Sequence, residues 1–528
     1  MNITSKKTIF NSLYQMFFSK TWICLYALTI ICYLPFIFNF IWGNHDWGWI
    51  KEYTPLFSGV FEGRFSQFII PSILFEGNIL PILTILLSLA FYSSTAIIFI
   101  HLLNPKLSSR TIILSGLLLT TAPYTISWLY FKFIILSCLF WTFFIVLAFY
   151  LFKNTTTILS KITLPTILFT LSLGGYPPVI NMIGVIFFIL LINDICFDNI
   201  QLKQLAKKYL PLFIFIVLSV IFVLGIQHIL KIYKLQHDTY NTAQISLQTI
   251  LSKVIICITS SFTQFIKTTS FINLTYKTLN LGLFAIALFT LLKNTKKIYT
   301  TLLLLISLLC ASTISLLVAE NSIYILNEPR IEFYGILYIY IFSFVIIQKG
   351  TSQICKNICY ILAVCTILYN INTISYANKV WLNGFNAENK LMERIITHIE
   401  NNPSFNSATK YTFIQGGNLD YRRRFYTTSN QEKEDSYTLT APYIPWHLPS
   451  KAYSFYQPNN FFKNDFDTYW SFVNKYEITL TPELLEYLTT SSEVWPSSKA
   501  IFIDNQTIVL TLTKDGQIRA RDWAHRVF

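Results

Sequence analysis

Long apolar runs separated by short polar segments recur through the first 375 residues and constrain the fold of this chain more than any other feature. A membrane-spanning helix needs about 20 mostly apolar residues, and runs of roughly 17 or more meet that requirement. With shorter runs accepted where polar turns bound them, the sequence predicts about eleven spans. They lie near residues 22–42, 79–103, 111–123, 132–152, 162–174, 178–193, 209–229, 278–292, 299–319, 333–348 and 357–375.

The overall composition agrees with a chain that resides in a membrane. Hydrophobic residues make up 53% of the 528 residues and charged residues only 12%, whereas about a quarter of a soluble domain is charged. The first apolar run, 22–42, is too long for the core of a signal peptide and lacks a small-residue cleavage site. We therefore expect it to be retained as the first span of an all-α polytopic membrane domain.

The net charge of +14 is a topology signal, because cytoplasmic loops of membrane proteins are enriched in lysine and arginine. With the N-terminus in the cytoplasm, every inside segment is basic, and no nucleic-acid partner is needed to explain the charge. The inside residues are Lys6, Lys7, Lys20, Lys106, Arg110, Lys153, Lys161, Lys203, Lys207, Lys208, Lys293, Lys296, Lys297, Lys349 and Lys356. The short outside segments carry only Lys51, Arg64, Lys132 and Arg330.

An odd number of spans places the C-terminal residues 376–528 outside, where they form an α+β extracytoplasmic domain long enough for its own core. Apolar residues at helical spacing predict an amphipathic helix that ends at Pro403. Alternating segments near 411 and in 499–513 predict a small sheet with a hairpin. Residues 1–375 form the membrane domain, in which an interfacial helix fits residues 250–262 better than a twelfth span.

No motif of nucleotide-driven transport or of common hydrolases organises the chain. The nine cysteines lie in or near apolar spans, with no CxxC or Cys/His metal spacing among them. The sequence therefore predicts no disulfide framework, zinc site or cofactor, and a divalent metal is optional.

A polar stretch, NHDWGWIKEYTPLFSGVFEGR, follows the first span directly and supplies His45, Asp46, Glu52, Glu62 and Arg64. Charge near hydrocarbon is costly, so polar clusters at a bilayer surface are candidate reaction sites. Asp46 lies about four residues beyond the span and is the candidate catalytic base. The alternative interpretation is an aromatic belt of tryptophans with solvated charges between them.

Other outer segments carry further candidates. Tyr176 lies in a Gly-Gly-Tyr-Pro-Pro break and could bind a sugar, although Gly and Pro alone also explain a tight turn there. Glu328, Arg330 and Glu332 surround the mouth of a later span, where arginine can clamp a phosphate or join a local salt-bridge network. The polar residues in 231–238 fit a solvated loop.

The order of these features resembles the GT-C class of polytopic glycosyltransferases, and within it the serotype-converting O-antigen glucosyltransferases of bacteria and phages. The resemblance rests on NHDWGWIKEY with the following GRF, on LSLGGYPPVI (171–180), on NEPRIEFY (327–334) and on the exit from the last span into NKVWLNGFNAENKLMERIITHI. It covers most of residues 1–400. Members of this class often show two adjacent acids in the first loop, where this chain reads His45 and Asp46.

The resemblance implies transfer of a glucosyl residue from a polyprenyl-phosphate donor to O-antigen on the periplasmic face of a bacterial inner membrane, with a change of serotype. Asp46 is then the base, with Glu52 and Glu62 as substitutes, and Arg64 or Arg330 stabilises the departing phosphate. His45, Tyr176, Glu328 and Glu332 contact substrate. The catalytic outer loops are then 43–78, 230–277 and 320–332, and the C-terminal domain binds the acceptor polysaccharide.

Two other functions remain open at this stage. A transferase of the same class could use another lipid-linked sugar, or another acceptor such as lipid A or protein. A polysaccharide or lipid transporter would fit the span count equally well. Transporters, however, tend to carry ionisable residues at the bilayer midplane and internal repeats, whereas the ionisable residues here cluster in outer loops.

Overall fold

A computed structural model of the protein describes residues 11–39, 59–60, 63–78, 80–129, 132–155, 157–198, 200–235, 247–268, 272–317, 329–406, 412–416, 481–504 and 507–512, with four positions between 514 and 521. The chain divides into two units, and the division falls between Asn378 and Lys379. The regular secondary structure in the described residues of the first unit is all helical, and the second unit combines helix with a small sheet.

The described helices of the first unit follow the apolar runs of the sequence. In chain order they are α1 (Lys20–Phe38), α2 (Ile69–Phe75), α3 (Pro81–Leu103), α4 (Ser109–Thr120), α5 (Ile126–Leu129), α6 (Lys132–Asn154), α7 (Ile158–Gly175), α8 (Ile180–Phe197), α9 (Leu202–Ile232), α10 (Leu247–Thr263), α11 (Leu274–Asn294), α12 (Ile298–Ala311), α13 (Pro329–Tyr334), α14 (Ile336–Gly350) and α15 (Gln353–Glu400). A backbone in hydrocarbon must satisfy its own hydrogen bonds, which favours helix at each run.

Each of the eleven predicted spans lies on a helix, but fewer are long and apolar enough to cross a membrane. Within the described residues eight helices meet that test, and α4 with the bent segment after it makes a ninth candidate. The helices at 162–174 and 299–319 are shorter, as is the one at 250–262. The chain is thus a membrane protein with eight or nine candidate spans, and the predicted count of about eleven is not confirmed.

Helix α14 lies at the centre of the first unit. Residues 336–348 are all buried, and α14 packs against α3, α4, α8 and α11. Its sequence is apolar on every side, the pattern of a helix that contacts other helices all round. Helix α9 is the opposite case, because only 28% of its most apolar window is buried and the rest of its apolar surface is uncovered, as expected for a helix that faces lipid.

Four of the lysines that the sequence assigns to inside segments contact groups on or next to neighbouring helices at one end of this unit. Lys208 forms a 2.6 Å ion pair with the buried carboxylate of Asp194, which also accepts a hydrogen bond from Tyr209. The other contacts at this end join Lys349 to Asn193, Lys153 to the carbonyl of Leu102, and Lys297 to the carbonyl of Ile200. These contacts hold the helix ends together.

The second unit contains the end of α15, strand β1 (Thr412–Gly416), helix α16 (Pro482–Thr490) and strands β2 (Ile501–Asp504) and β3 (Thr507–Thr511). Strand β3 is central and runs parallel to β1. It is antiparallel to β2, as expected for the hairpin that the sequence predicts in 499–513. Trp495 is buried and contacts Arg394 and His398 of α15.

Helix α15 differs from the sequence prediction, which separated the last span from the amphipathic helix that follows. The two are one continuous helix of 48 residues. Residues 376–402 contain no proline, and their single glycine, Gly384, is tolerated inside a long helix. The helix ends shortly before Pro403, as the sequence predicts.

Candidate active site

Three of the outer segments singled out in the sequence meet at the end of the first unit opposite the Asp194 ion pair. The guanidinium of Arg64, from the segment after the first span, lies over the ring of Tyr176 at 5.5 Å. The same ring lies 5.6 Å from that of Tyr334, at the end of α13. The distance between the two ends is considerable, because Asp194 lies 14 residues beyond Ile180 on α8, about 21 Å at 1.5 Å per residue.

Two glycines at the end of α7 admit close neighbours, and Gly174 is the one that faces the Arg64 segment. Ser66 donates its backbone N–H to the carbonyl of Gly174 and its hydroxyl to that of Leu171. A Cβ on Gly174 would lie 2.2 Å from the ring of Phe65, and one on Gly175 would lie 2.2 Å from Nε1 of Trp141. The Gly-Gly pair therefore does more than form a turn, since it lets aromatic rings pack directly on the backbone.

Aromatic side chains fill the space beside Arg64. The aromatic cluster consists of Trp128, Tyr176, Phe333 and Tyr334, with ring centroids 5.0 to 5.9 Å apart in the contacting pairs. Tyr176 is only 5% exposed. Its ring is in contact with protein groups, so it is less open to a sugar than the sequence suggests. Arg64, by contrast, keeps part of its surface exposed.

A buried ion pair lies next to this cluster along the chain. Lys277 Nζ, in the first turn of α11, lies 2.8 Å from Glu332 Oε2 in α13. The ammonium also donates to the hydroxyl of Tyr124 at 3.1 Å and to the backbone carbonyl of Gln264. The lysine side chain is 1% exposed and the glutamate side chain 11%. Removal of one partner from a buried pair of this kind typically costs about 3–5 kcal/mol.

Gln264 connects this ion pair to a neighbouring helix end. Its side-chain amide donates to Ser312 Oγ at 2.5 Å. Ser312 in turn lies against Gly335, where an added Cβ would be 2.3 Å from the Ser312 carbonyl oxygen. The glycine between α13 and α14 therefore lets the end of α12 approach, and this approach supports the carbonyl that Lys277 uses.

The structure describes some of the predicted site residues and not others. Arg64, Tyr176 and Glu332 lie at the same end of the first unit. Arg330 lies in α13, and its side chain is outside the described part of the chain. The remaining predicted site residues lie outside the described residues altogether, namely His45, Asp46, Glu52, Glu62 and Glu328. The roles predicted for all of these residues stay predictions.

The structure describes part of the polar segment 231–238. Lys234 is exposed and Lys231 is partly exposed, while His237 and Asp238 are not among the described residues. Across the residues that the structure describes, no group of three or more His, Cys, Asp and Glu side chains has the arrangement of a metal site.

Sequence reasoning missed Lys277, Tyr124 and Trp128 as members of the site. The predicted span begins at residue 278 and places Lys277 in the preceding outer segment, whereas α11 begins at Leu274. A lysine at the start of an apolar run is itself a signal, because ionisable residues in membrane helices are costly and usually have a function or a partner. Tyr124 and Trp128 carry no comparable signal, since aromatic residues are common in spans.

The fold and the site together define a polytopic membrane protein with a polar, aromatic-lined centre at one end of its helices. The comparison with family models gives this class a name. Residues 52–348, more than half of the chain, match the model described as glucosyl transferase GtrII. The chain belongs to this family of glucosyltransferases. It matches no curated protein and no solved structure.

The matched region contains both parts of the site. It includes Arg64, Tyr176, Lys277 and Glu332, and begins after Asp46. Membership supports glycosyl transfer as the activity, with a sugar donor and an acceptor as substrates, and agrees with the resemblance drawn from the sequence.

Proposed function

We propose that this protein transfers a glucosyl residue from a polyprenyl-phosphate-linked donor to O-antigen on the periplasmic face of the bacterial inner membrane. The product would carry a new side-branch hexose, which changes the serotype of the cell. The N-terminus is cytoplasmic in this proposal. Residues 376–528 are periplasmic and bind the acceptor polysaccharide, to which tyrosine and tryptophan rings offer stacking surfaces.

The observation that carries the proposal is the meeting of Arg64, Tyr176, Glu332 and Lys277 at one end of the unit that the family model matches. These residues are far apart in the sequence, and charged side chains in membrane helices are costly and usually have a function or a partner. The basic inside segments lie at the other end, which supports a site on the periplasmic side.

The reaction breaks the bond between C1 of the glucosyl residue and the phosphate oxygen, and forms a bond from C1 to an acceptor hydroxyl oxygen. In this proposal Asp46 takes the hydroxyl proton, with Glu52 and Glu62 as substitutes. The phosphate leaves on the polyprenyl chain, and its charge is stabilised by Arg64 or Arg330. A single base with direct displacement inverts the configuration at C1.

Arg64 suits the phosphate role for a specific reason. Its guanidinium is held over the Tyr176 ring, which restricts the side chain while part of its surface remains exposed. A guanidinium binds phosphate through two parallel hydrogen bonds, and restriction in advance lowers the entropy lost on binding. His45, Glu328 and Glu332 contact the sugars of the donor and the acceptor in this account, while Tyr176 restrains Arg64.

Linkage analysis of lipopolysaccharide from cells that carry the wild-type chain, the Asp46→Asn variant or no copy tests the proposal. We expect a new side-branch hexose with the wild type alone. Glu76→Gln is a matched control, because Glu76 is an exposed acid at the end of α2 with no role in the proposed site. This control should give the wild-type glycan.

Identical glycans in all cells, with each protein confirmed in the membrane, would contradict transfer to O-antigen. A wild-type glycan in cells that carry Asp46→Asn would still support transfer to O-antigen, but it would exclude Asp46 as the catalytic base.

A further inference from the structure

Lys277 occupies an unfavourable position unless a partner compensates it. It lies in the first turn of α11, where the helix dipole disfavours a positive charge. Its side chain is also almost fully buried in an apolar unit, and burial of an unpaired ammonium is strongly unfavourable. The carboxylate of Glu332, 2.8 Å away, provides the compensation.

The ammonium of Lys277 has no donor left for a substrate. A lysine has three N–H donors, and those of Lys277 go to Glu332 Oε2, the Tyr124 hydroxyl and the Gln264 carbonyl. A phosphate could bind this ammonium only after one of these bonds had broken. Any effect of Lys277 on a substrate must therefore pass through a group that it holds.

Glu332 is the group able to pass that effect on. It keeps 11% of its side chain accessible, whereas Lys277 keeps 1%. A carboxylate accepts hydrogen bonds at both oxygens, about four in all, and Lys277 uses only Oε2. The Tyr124 hydroxyl also forms a hydrogen bond with this carboxylate, which leaves about half of its accepting capacity for other donors. The next two residues, Phe333 and Tyr334, belong to the aromatic cluster, so Glu332 and part of that cluster share the short helix α13.

We propose that Lys277 is a positioning residue that holds the Glu332 carboxylate in place, and that Glu332 accepts hydrogen bonds from hydroxyl groups of the hexose being transferred. This inference rests on the proposed function and adds the part of the site that recognises the sugar. A carboxylate that accepts hydrogen bonds from sugar hydroxyl groups distinguishes a hexose-carrying donor from the lipid phosphate alone, which has no sugar hydroxyl groups.

The test uses the full chain in lipid nanodiscs with Lys277→Met, Glu332→Gln and the double variant Lys277→Met/Glu332→Gln. Melting temperature, kcat and KM are measured, with polyprenyl-phosphate glucose as the donor and lipopolysaccharide as the acceptor. Each single change leaves one polar group without its charged partner, so we expect a lower melting temperature for the single variants. The double variant replaces the ion pair by neutral groups of similar size, and its melting temperature should return toward that of the wild type.

The double variant should not regain glucosyl transfer even though its melting temperature recovers. We expect kcat/KM of the double variant to stay about 10- to 100-fold below the wild type, the usual effect of losing a hydrogen bond to a charged group. The loss of kcat/KM in Glu332→Gln should be as large as the loss in the double variant, because Lys277 acts only through Glu332. Polyprenyl phosphate without sugar should inhibit the wild type and the double variant equally.

The Asp194 and Lys208 ion pair is the matched control. It also joins a buried carboxylate to a lysine, but at the other end of the unit. Asp194→Asn/Lys208→Met should keep wild-type kcat/KM. A double Lys277/Glu332 variant that regains both stability and kcat/KM would overturn the inference and leave a structural ion pair. Absence of transfer by the folded wild type would instead refute the proposed function.

Discussion

Single residues set the geometry of the site where backbones or rings approach most closely. Gly175 shows this clearly, because a Cβ there would meet both Nε1 and Cδ1 of Trp141 at 2.2 and 2.4 Å. Trp141 is itself buried and belongs to α6, next to the helix that carries Gly175. The ring has nowhere to move without displacing other core side chains.

Gly175→Ala should therefore destabilise the membrane unit by about 1–3 kcal/mol, the usual cost of overpacking. The change should appear as a lower melting temperature of the purified protein in detergent. Gly225→Ala in α9 is the control, because an added Cβ there meets no atom within 4 Å. Alanine also favours helix over glycine by about 0.8–1.0 kcal/mol, so this control should be neutral or stabilising. Equal melting temperatures for Gly175→Ala and wild type would contradict the close packing.

At the scale of elements, the helices sort into those surrounded by protein and those open to lipid. Helix α14 is buried along its length, and 89% of its apolar window is covered. Helix α9 is covered over 28% of its window, and Ile221 and Leu210 on its surface are 56% and 57% exposed. An apolar residue with this exposure in a membrane helix faces lipid.

Arginine at Ile221, near the middle of α9, should reduce insertion of the protein into the membrane. A charged residue at the centre of a span costs about 2.5–3.5 kcal/mol on insertion scales. Leu210→Arg is the control, because Leu210 lies near the start of the helix beside Lys207 and Lys208, where a long side chain reaches the interface. The amount of carbonate-resistant protein in the membrane fraction measures the effect. Equal insertion of both variants would show that α9 does not cross the bilayer.

The helices were predictable because burial in hydrocarbon leaves few choices for the backbone. Every predicted apolar run lies on a helix, and the Pro403 end of α15 and the strand pair β2–β3 also appear as predicted. The continuity of α15 was not predictable, since a polar amphipathic segment after a span is compatible with either a break or a continuation. The predicted count of about eleven spans is not confirmed, because some runs bounded by polar turns form described helices shorter than a bilayer requires.

The site was predictable only in part. Arg64 and Glu332 are polar residues beside apolar runs, and position alone identifies them as candidates. Their partners come from elsewhere in the chain, since Glu332 and Lys277 are 55 residues apart and Lys277 and Tyr124 are 153 apart. No periodicity within one helix indicates such pairs, because they arise from packing between helices.

At the scale of the whole membrane unit, charge divides the helix ends into two groups. One end carries the Lys208–Asp194 ion pair and the lysines around it. The other carries Arg64, the aromatic cluster and the Lys277–Glu332 ion pair. The proposed sidedness follows from this division, because the more basic end is retained in the cytoplasm.

Cysteine labelling tests this sidedness directly. In a background without the nine native cysteines, Pro177→Cys at the site end should react with a membrane-impermeant maleimide in spheroplasts. Lys203→Cys at the other end should react only after the membrane is disrupted. Both positions are exposed, so accessibility within the protein does not limit either reaction. The reverse pattern of labelling would place the site in the cytoplasm and contradict a periplasmic acceptor.

The central claim is that the Arg64 end transfers a hexose from a lipid phosphate, and transfer by the purified chain measures it most directly. Liposomes would contain polyprenyl-phosphate [14C]glucose, lipopolysaccharide, and wild type, Arg64→Met or Arg110→Met. Arg110 is the matched control, since its guanidinium lies 5.3 Å over the ring of Tyr360 away from the site. We expect label in lipopolysaccharide with wild type and Arg110→Met, and a raised donor KM with Arg64→Met. No transfer by folded wild type, or equal donor KM values for all three, would contradict the account.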